Sequence, residues 1–147
     1  MNRPYLASLR AREEGIKNLI FIHGSALDLP FPDEEFDVVN CCGAIYLFPD
    51  VPRALGEIYR VLNSGGRFTA SGFKRSGSYR LSEIITEQRA KRTGVRHYLP
   101  QELEAICKHA GLTNIECHYS KRRWMVISAT KQAVTDSPKM MPPTGVV

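Results

Sequence analysis

The chain has 147 residues, 43% of them hydrophobic, with 20 Lys and Arg against 15 Asp and Glu and a formal net charge of +5. That is enough apolar material for one domain with a real core. No apolar run approaches the roughly 18 residues that span a bilayer, and the N-terminus lacks a basic-then-apolar signal pattern, so the expected class is soluble and intracellular, that is, cytoplasmic.

Taken in chain order, the first element is a helix. Leu6, Leu9 and Ala11 to Glu13 follow Pro4, and Gly15 with Ile16 reads as a glycine stop with its hydrophobic contact. The run Asn18 to His23, closed by Gly24, is short and apolar and predicts a buried strand. A polar, proline-rich loop follows, in which Pro30 and Pro32 fix the path and Asp37 is expected to cap the preceding turn; Asp28 is a candidate rim acid. Phe36 to Cys42 is a second strand-like run. Asp50 stands at an N-cap position, Pro52 in the first turn, and Val51, Leu55, Ile58 and Leu62 recur on one helical face. The exit Asn63-Ser64-Gly65-Gly66 supplies positive-φ residues before a strand over Arg67 to Phe73.

Next comes the basic stretch. Between Lys74 and Arg96, seven basic residues against Glu83 and Glu87 carry the whole charge excess, and Ser82 to Arg92 is compatible with a helix. It reads first as a solvated helix face, with an acidic or phosphorylated acceptor and nucleic acid as alternatives. Few aromatics interleave the charges, which argues against nucleic acid. Leu99 to Leu112 repeats the helix grammar, with proline at the start, Leu103, Ile106, Cys107 and Ala110 on one side and Gly111 as the stop. Two alternating runs around Lys121-Arg122-Arg123 predict an antiparallel hairpin. The segment from Gln132 to Val147 holds three prolines and no apolar period, and is expected to be a disordered tail behind a domain over 1–131. Cys41, Cys42, Cys107 and Cys117 show no metal-ligand spacing, so buried free thiols are expected and no metal. Alternating strands and helices that end in a hairpin mean an α/β fold with a parallel sheet and an antiparallel edge.

Five features in order carry a family resemblance: Gly24-Ser25-Ala26; Leu29-Pro30-Phe31-Pro32-Asp33; Phe36-Asp37-Val38-Val39; Ala44 to Asp50; and Glu57 to Gly66. Together they resemble the middle of class I S-adenosylmethionine-dependent methyltransferases (methyltransferase type 11) of the ubiquinone and menaquinone biosynthesis type. The likeness extends over Tyr5 to Lys131. It implies a Rossmann-like sheet with a C-terminal antiparallel hairpin, and methyl transfer from S-adenosyl-L-methionine to a small-molecule acceptor. By position it also implies adenine contacts at Ser25, Ala26 and Leu27, and strand-end contacts with the cofactor at Cys41 and Cys42. Tyr46, His97 and Tyr98 become the candidate acceptor-side groups, and Ser76 to Tyr98 resembles the family's substrate-covering insertion. No universal catalytic residue is implied, because an in-line displacement mainly needs positioning.

The resemblance also sets an expectation of truncation. The family's first strand, glycine-rich turn and second-strand acid would fall upstream of Tyr5, where four residues cannot hold a unit of about 30. Only the C-terminal two thirds, lacking the first βαβ unit, is then expected, with the adenine side of the site retained. Asn18 to His23 is expected to pair directly with Phe36 to Cys41, because an unpaired buried edge is costly. A homodimer or a complementing N-terminal piece would complete the sheet. The alternative to an enzyme is an inactive remnant or interaction module.

Overall fold

Helix α1 (Arg3–Glu13) ends as a glycine stop should. Gly15 has φ +70°, its N–H donates to Arg12 O at 3.1 Å, and Ile16 N–H reaches Ala11 O at 2.8 Å, which is the pair of bonds of a Schellman cap. This computed structural model describes residues 3–73, 88, 92–121 and 124–133. Most of the basic segment, including the expected helix over Ser82 to Arg92, and all of the expected tail beyond Ala133 lie outside the described residues.

The sheet is formed by β1 (Phe36–Cys42), β2 (Leu62–Phe73), β3 (Leu112–Lys121) and β4 (Trp124–Lys131) in the order β1-β2-β4-β3. Strand β1 runs parallel to β2, whereas β4 is antiparallel to both β2 and β3. The expected hairpin is therefore present, and it enters the sheet through its second strand. Helices α2 (Val51–Val61) and α3 (Pro100–His109) cover one face. Val51, Leu55, Ile58, Leu103 and Cys107 meet Cys41, Phe68, Ala70, Met125, Ile127 and Ala129 in a single core. On β4 the inward set is Met125, Ile127, Ala129 and Lys131, in strict alternation.

Local chemistry explains the boundaries. Asp50 Oδ1 accepts the Arg53 N–H at 3.0 Å and caps α2. Glu102 Oε2 accepts the Leu99 N–H at 2.8 Å and closes the first turn of α3. Strand β2 starts at Leu62, five residues before the expected Arg67, because the chain bends through Gly65 (φ +79°) while still beside β1. At Gly66 a Cβ would meet Asn63 O at 2.8 Å, so the close approach of two backbones requires glycine.

Three expectations are corrected. Asn18 to His23 is neither a strand nor buried: Ile20 is 87% exposed, Leu19 and Ile22 about half, and the segment pairs with no part of β1. A strand sequence without a neighbouring edge leaves its amides to water, and hydrophobicity alone does not order it. The thiols divide, since Cys41 and Cys107 are buried and Cys42 and Cys117 exposed, with none of the four in a disulfide. Finally, Asp37 does not cap the preceding turn; its Oδ1 accepts from Asn63 Nδ2 at 2.8 Å.

Candidate functional site

The residues expected at the adenine form a tight turn. Asp28 N–H donates to Ser25 O at 3.2 Å, and Ser25 Oγ accepts the Leu27 N–H at 3.2 Å. Leu27 O takes Arg53 Nε at 3.0 Å, and Leu29 N–H donates to Glu57 Oε2 at 2.8 Å. Arg53 lies in the first turn of α2, just after the exit of β1, so the turn is held at the carboxyl end of the sheet, where open α/β sheets bind ligands.

From there the loop descends along α2 and enters β1 at its amino end. Arg60 holds it by donating to Leu29 O at 3.0 Å, Phe31 O at 2.8 Å and Asp33 Oδ1 at 2.8 Å, while Nε and Nη2 clasp both oxygens of Glu57. The Arg60 bonds, and then the Leu29 amide, lower the Glu57 carboxyl to about 2. The acids and prolines of this stretch are thus scaffolding that positions the turn.

At the end of β1 the two vicinal thiols point to opposite sides. Cys41 packs into the core, and burial raises its pKa to about 11. Cys42 is exposed, with Ser71 Oγ donating to its Sγ at 3.3 Å. Gly43 (φ +66°) turns the chain away, its N–H held by Ser71 O at 2.8 Å.

Four rings converge beyond this end. Tyr46 lies 5.7 Å from both Phe73 and His97, centroid to centroid; Phe73 lies 6.3 Å from His97 and 5.0 Å from Trp124. A backbone bond from Arg96 N–H to Tyr46 O at 2.9 Å sets His97 beside Tyr46. Tyr98 goes the other way: it is 5% exposed within the core, Arg96 covers its ring at 5.3 Å, and burial raises its pKa. The structure thus brings Tyr46 and His97 together and sends Tyr98 inward. Phe73 and Trp124 escaped the sequence reading, because each merely ends a strand run until the sheet order makes them neighbours. A cavity of about 500 Å³ lined by Gly65, Thr113, Asn114 and Lys131 lies at the opposite end of β2, away from these groups.

The turn's chemistry suits an adenine edge. Ser25 Oγ and the Leu27 N–H satisfy each other, and the Ala26 N–H remains as a donor without a partner among the described residues. Cys42 and the bend at Gly43 leave the neighbouring strand end open.

Comparison with known proteins agrees with this frame. A family model described as a methyltransferase domain matches residues 2–70. The uncharacterized methyltransferase YcgJ of Bacillus subtilis is 46% identical over 63 residues, which is 43% of this chain and 25% of that protein. The demethylmenaquinone methyltransferase of Thermus thermophilus is 36% identical over 116 residues, covering 70% of this chain and 52% of that protein. The chain therefore spans between a quarter and about half of these curated relatives. Among solved structures, Bacillus subtilis YcgJ superimposes with a TM-score of 0.73 at 22% identity, over 87% of this chain and 77% of that one. A methyltransferase structure from Bacillus halodurans gives 0.74 at 16% identity, over 88% and 79%. Ordered motifs, sheet and relatives agree: residues 2–70 match a methyltransferase domain, and together these findings support a class I S-adenosylmethionine-dependent methyltransferase.

Proposed function

We propose that this chain takes part in S-adenosylmethionine-dependent methyl transfer to a small, planar, ring-bearing acceptor. The observation that carries this reading is the convergence of Tyr46, Phe73, His97 and Trp124 at the carboxyl end of the sheet, next to the strand end that leads from Cys42. Aromatic rings meeting edge to face favour a flat partner and disfavour a flexible polar one. The name of the Thermus thermophilus relative, demethylmenaquinone methyltransferase, points the same way.

When bound, S-adenosylmethionine supplies an electrophilic methyl group on a sulfonium. The Ala26 N–H and Ser25 would hold the adenine edge, Leu27 and Cys42 would line its faces, and Cys41 would support the strand end from the core. Tyr46 and Phe73 orient the acceptor, and the ring wall excludes water around it. His97, whose ring lies 5.7 Å from that of Tyr46, would accept the proton that an acceptor hydroxyl loses on methylation. Free thiols and the absence, among the described residues, of a helix able to cross a membrane fit a cytoplasmic setting.

Calorimetry with S-adenosylhomocysteine tests the cofactor half. Binding that Ala26→Pro weakens at least about tenfold supports it, since proline suits this turn position but removes the N–H. No heat at millimolar ligand would leave the inactive-remnant reading in its place. The acceptor half has its own readout in the single tryptophan: a naphthol should quench Trp124 fluorescence, and Phe73→Ala should abolish the effect.

A further inference from the structure

The ring of Tyr46 takes its seat from a residue that has no side chain. Gly72 is buried on β2, in alternation with Phe68 and Ala70, one residue before Phe73. A Cβ at this position would stand 3.0 Å from Tyr46 Cδ1 and 3.3 Å from Cε1. Carbon atoms in contact rest about 3.5–4.0 Å apart, so the ring fills the space that any other residue would need. The backbone does not itself call for glycine here, since Gly72 lies outside the positive-φ range that Gly43 and Gly65 adopt. Gly111 also meets an aromatic ring, that of Tyr59 at 3.1 Å, but its φ of +93° requires glycine in any case. A glycine inside a strand gives up packing and marks a close approach. At Gly72 what approaches is the Tyr46 ring, and the main chain of Tyr46 is fixed. It lies in the short helical turn Ile45–Leu47, where Leu47 N–H bonds Ala44 O at 2.8 Å, Arg96 N–H holds Tyr46 O at 2.9 Å and Ile45 is 1% exposed. Only the ring can give way, and the backbone of β2 behind it leaves it only the way outward.

We propose that Gly72 is a positioning residue that sets the size of ring the acceptor side admits. The proposal rests on the acceptor reading above and adds the residue that tunes it. With no side chain at Gly72, the Tyr46 ring lies flush on β2, 5.7 Å from both Phe73 and His97. An added methyl group would lift the ring by about 0.5 Å or more before ordinary contact is restored. The lifted ring takes depth from the space in front of the wall. It also disturbs the edge-to-face fit with Phe73, at 61°, and with His97, at 71°. A fused two-ring acceptor uses more of that depth than a single ring, so it loses more.

Calorimetric titration of the full chain with 1-naphthol and with phenol tests the proposal. Gly72→Ala should raise the naphthol dissociation constant at least about fivefold and the phenol constant less than about twofold, and leave that of S-adenosylhomocysteine within about twofold. Near-UV circular dichroism needs no ligand. Gly72→Ala should alter its aromatic bands, and the same change made in a Tyr46→Ala background should not, because the space is then free. The double variant has room for the methyl group, so its unfolding midpoint should equal that of Tyr46→Ala even where Gly72→Ala alone folds poorly. Equal weakening of naphthol and phenol, an unmoved naphthol constant, or aromatic bands that shift without Tyr46 would overturn the assignment alone. Binding of neither ring by the unaltered chain would overturn the acceptor reading, and this assignment with it.

Discussion

Arg60 shows how much one side chain can organise. Its fork reaches three carbonyl or carboxylate groups of the loop and both oxygens of Glu57, so a guanidinium fixes the loop's course beside the edge-to-face contact of Phe31 with Phe36. Because the Glu57 carboxyl is lowered from 4.5 to about 2 in the fold, the unfolded chain binds the proton more readily. Its contribution to stability is present above about pH 4.5 and is lost as the pH falls toward about 2. Denaturant midpoints at pH 5 and pH 2.5 should therefore converge in Glu57→Gln relative to the unaltered chain. The thiols give a second residue-scale prediction. Cys42 and Cys117 should react rapidly with iodoacetamide at pH 8, while Cys41 and Cys107, buried and raised to about 11 and about 12, should react only as fast as the protein opens. Peptide mass spectrometry over time distinguishes the two pairs. The acids and prolines were legible as loop scaffolding in the sequence, but their clamp was not, because Arg60 lies a whole strand away along the chain.

Among the elements, α2 was the most legible. A capping aspartate, a first-turn proline and an apolar face in 3.6-residue period are local signals, and all of them hold in the structure. Asp50→Ala should cost about 1 kcal/mol in chemical denaturation. Gly66→Ala should do more harm than its size suggests, because the added carbon faces backbone oxygens of Asn63 and Asp37, neither of which is a flexible chain end. Its expected mark is a lower unfolding midpoint together with loss of hydrogen-exchange protection along the β1–β2 seam. Asn18 to His23 is the opposite case. Its pattern is as strand-like as that of β1, yet of the two only β1 has a strand partner among the described residues. Periodicity records which face a segment would bury; it does not record whether an edge is there to receive it.

For the molecule as a whole, Lys131, close to the end of the described residues, ties β4 back to the middle of the chain. Its ammonium donates to Leu62 O at 2.8 Å, pairs with Glu34 at 3.1 Å and lies 4.8 Å from the centre of the Tyr59 ring, at the junction of α2, β2, β4 and the turn before β1. Lys131→Met should destabilise the fold by about 1–3 kcal/mol in denaturant titrations, because the Leu62 carbonyl is left buried without its donor. The sequence by itself determined what depends on neighbours along the chain: the helix starts and stops, the apolar faces, the hairpin, and the ordered motifs that mark a methyltransferase. Only the tertiary structure decided that β4 lies between β2 and β3, that Phe73 and Trp124 join Tyr46 and His97, that Tyr98 turns inward, and that one strand-like segment pairs with no strand among the described residues. The physical reason is range. Capping bonds and periodicity act over a few residues, whereas strand order, ring clusters and edge pairing join residues far apart in the chain and arise only when the sheet closes around its core.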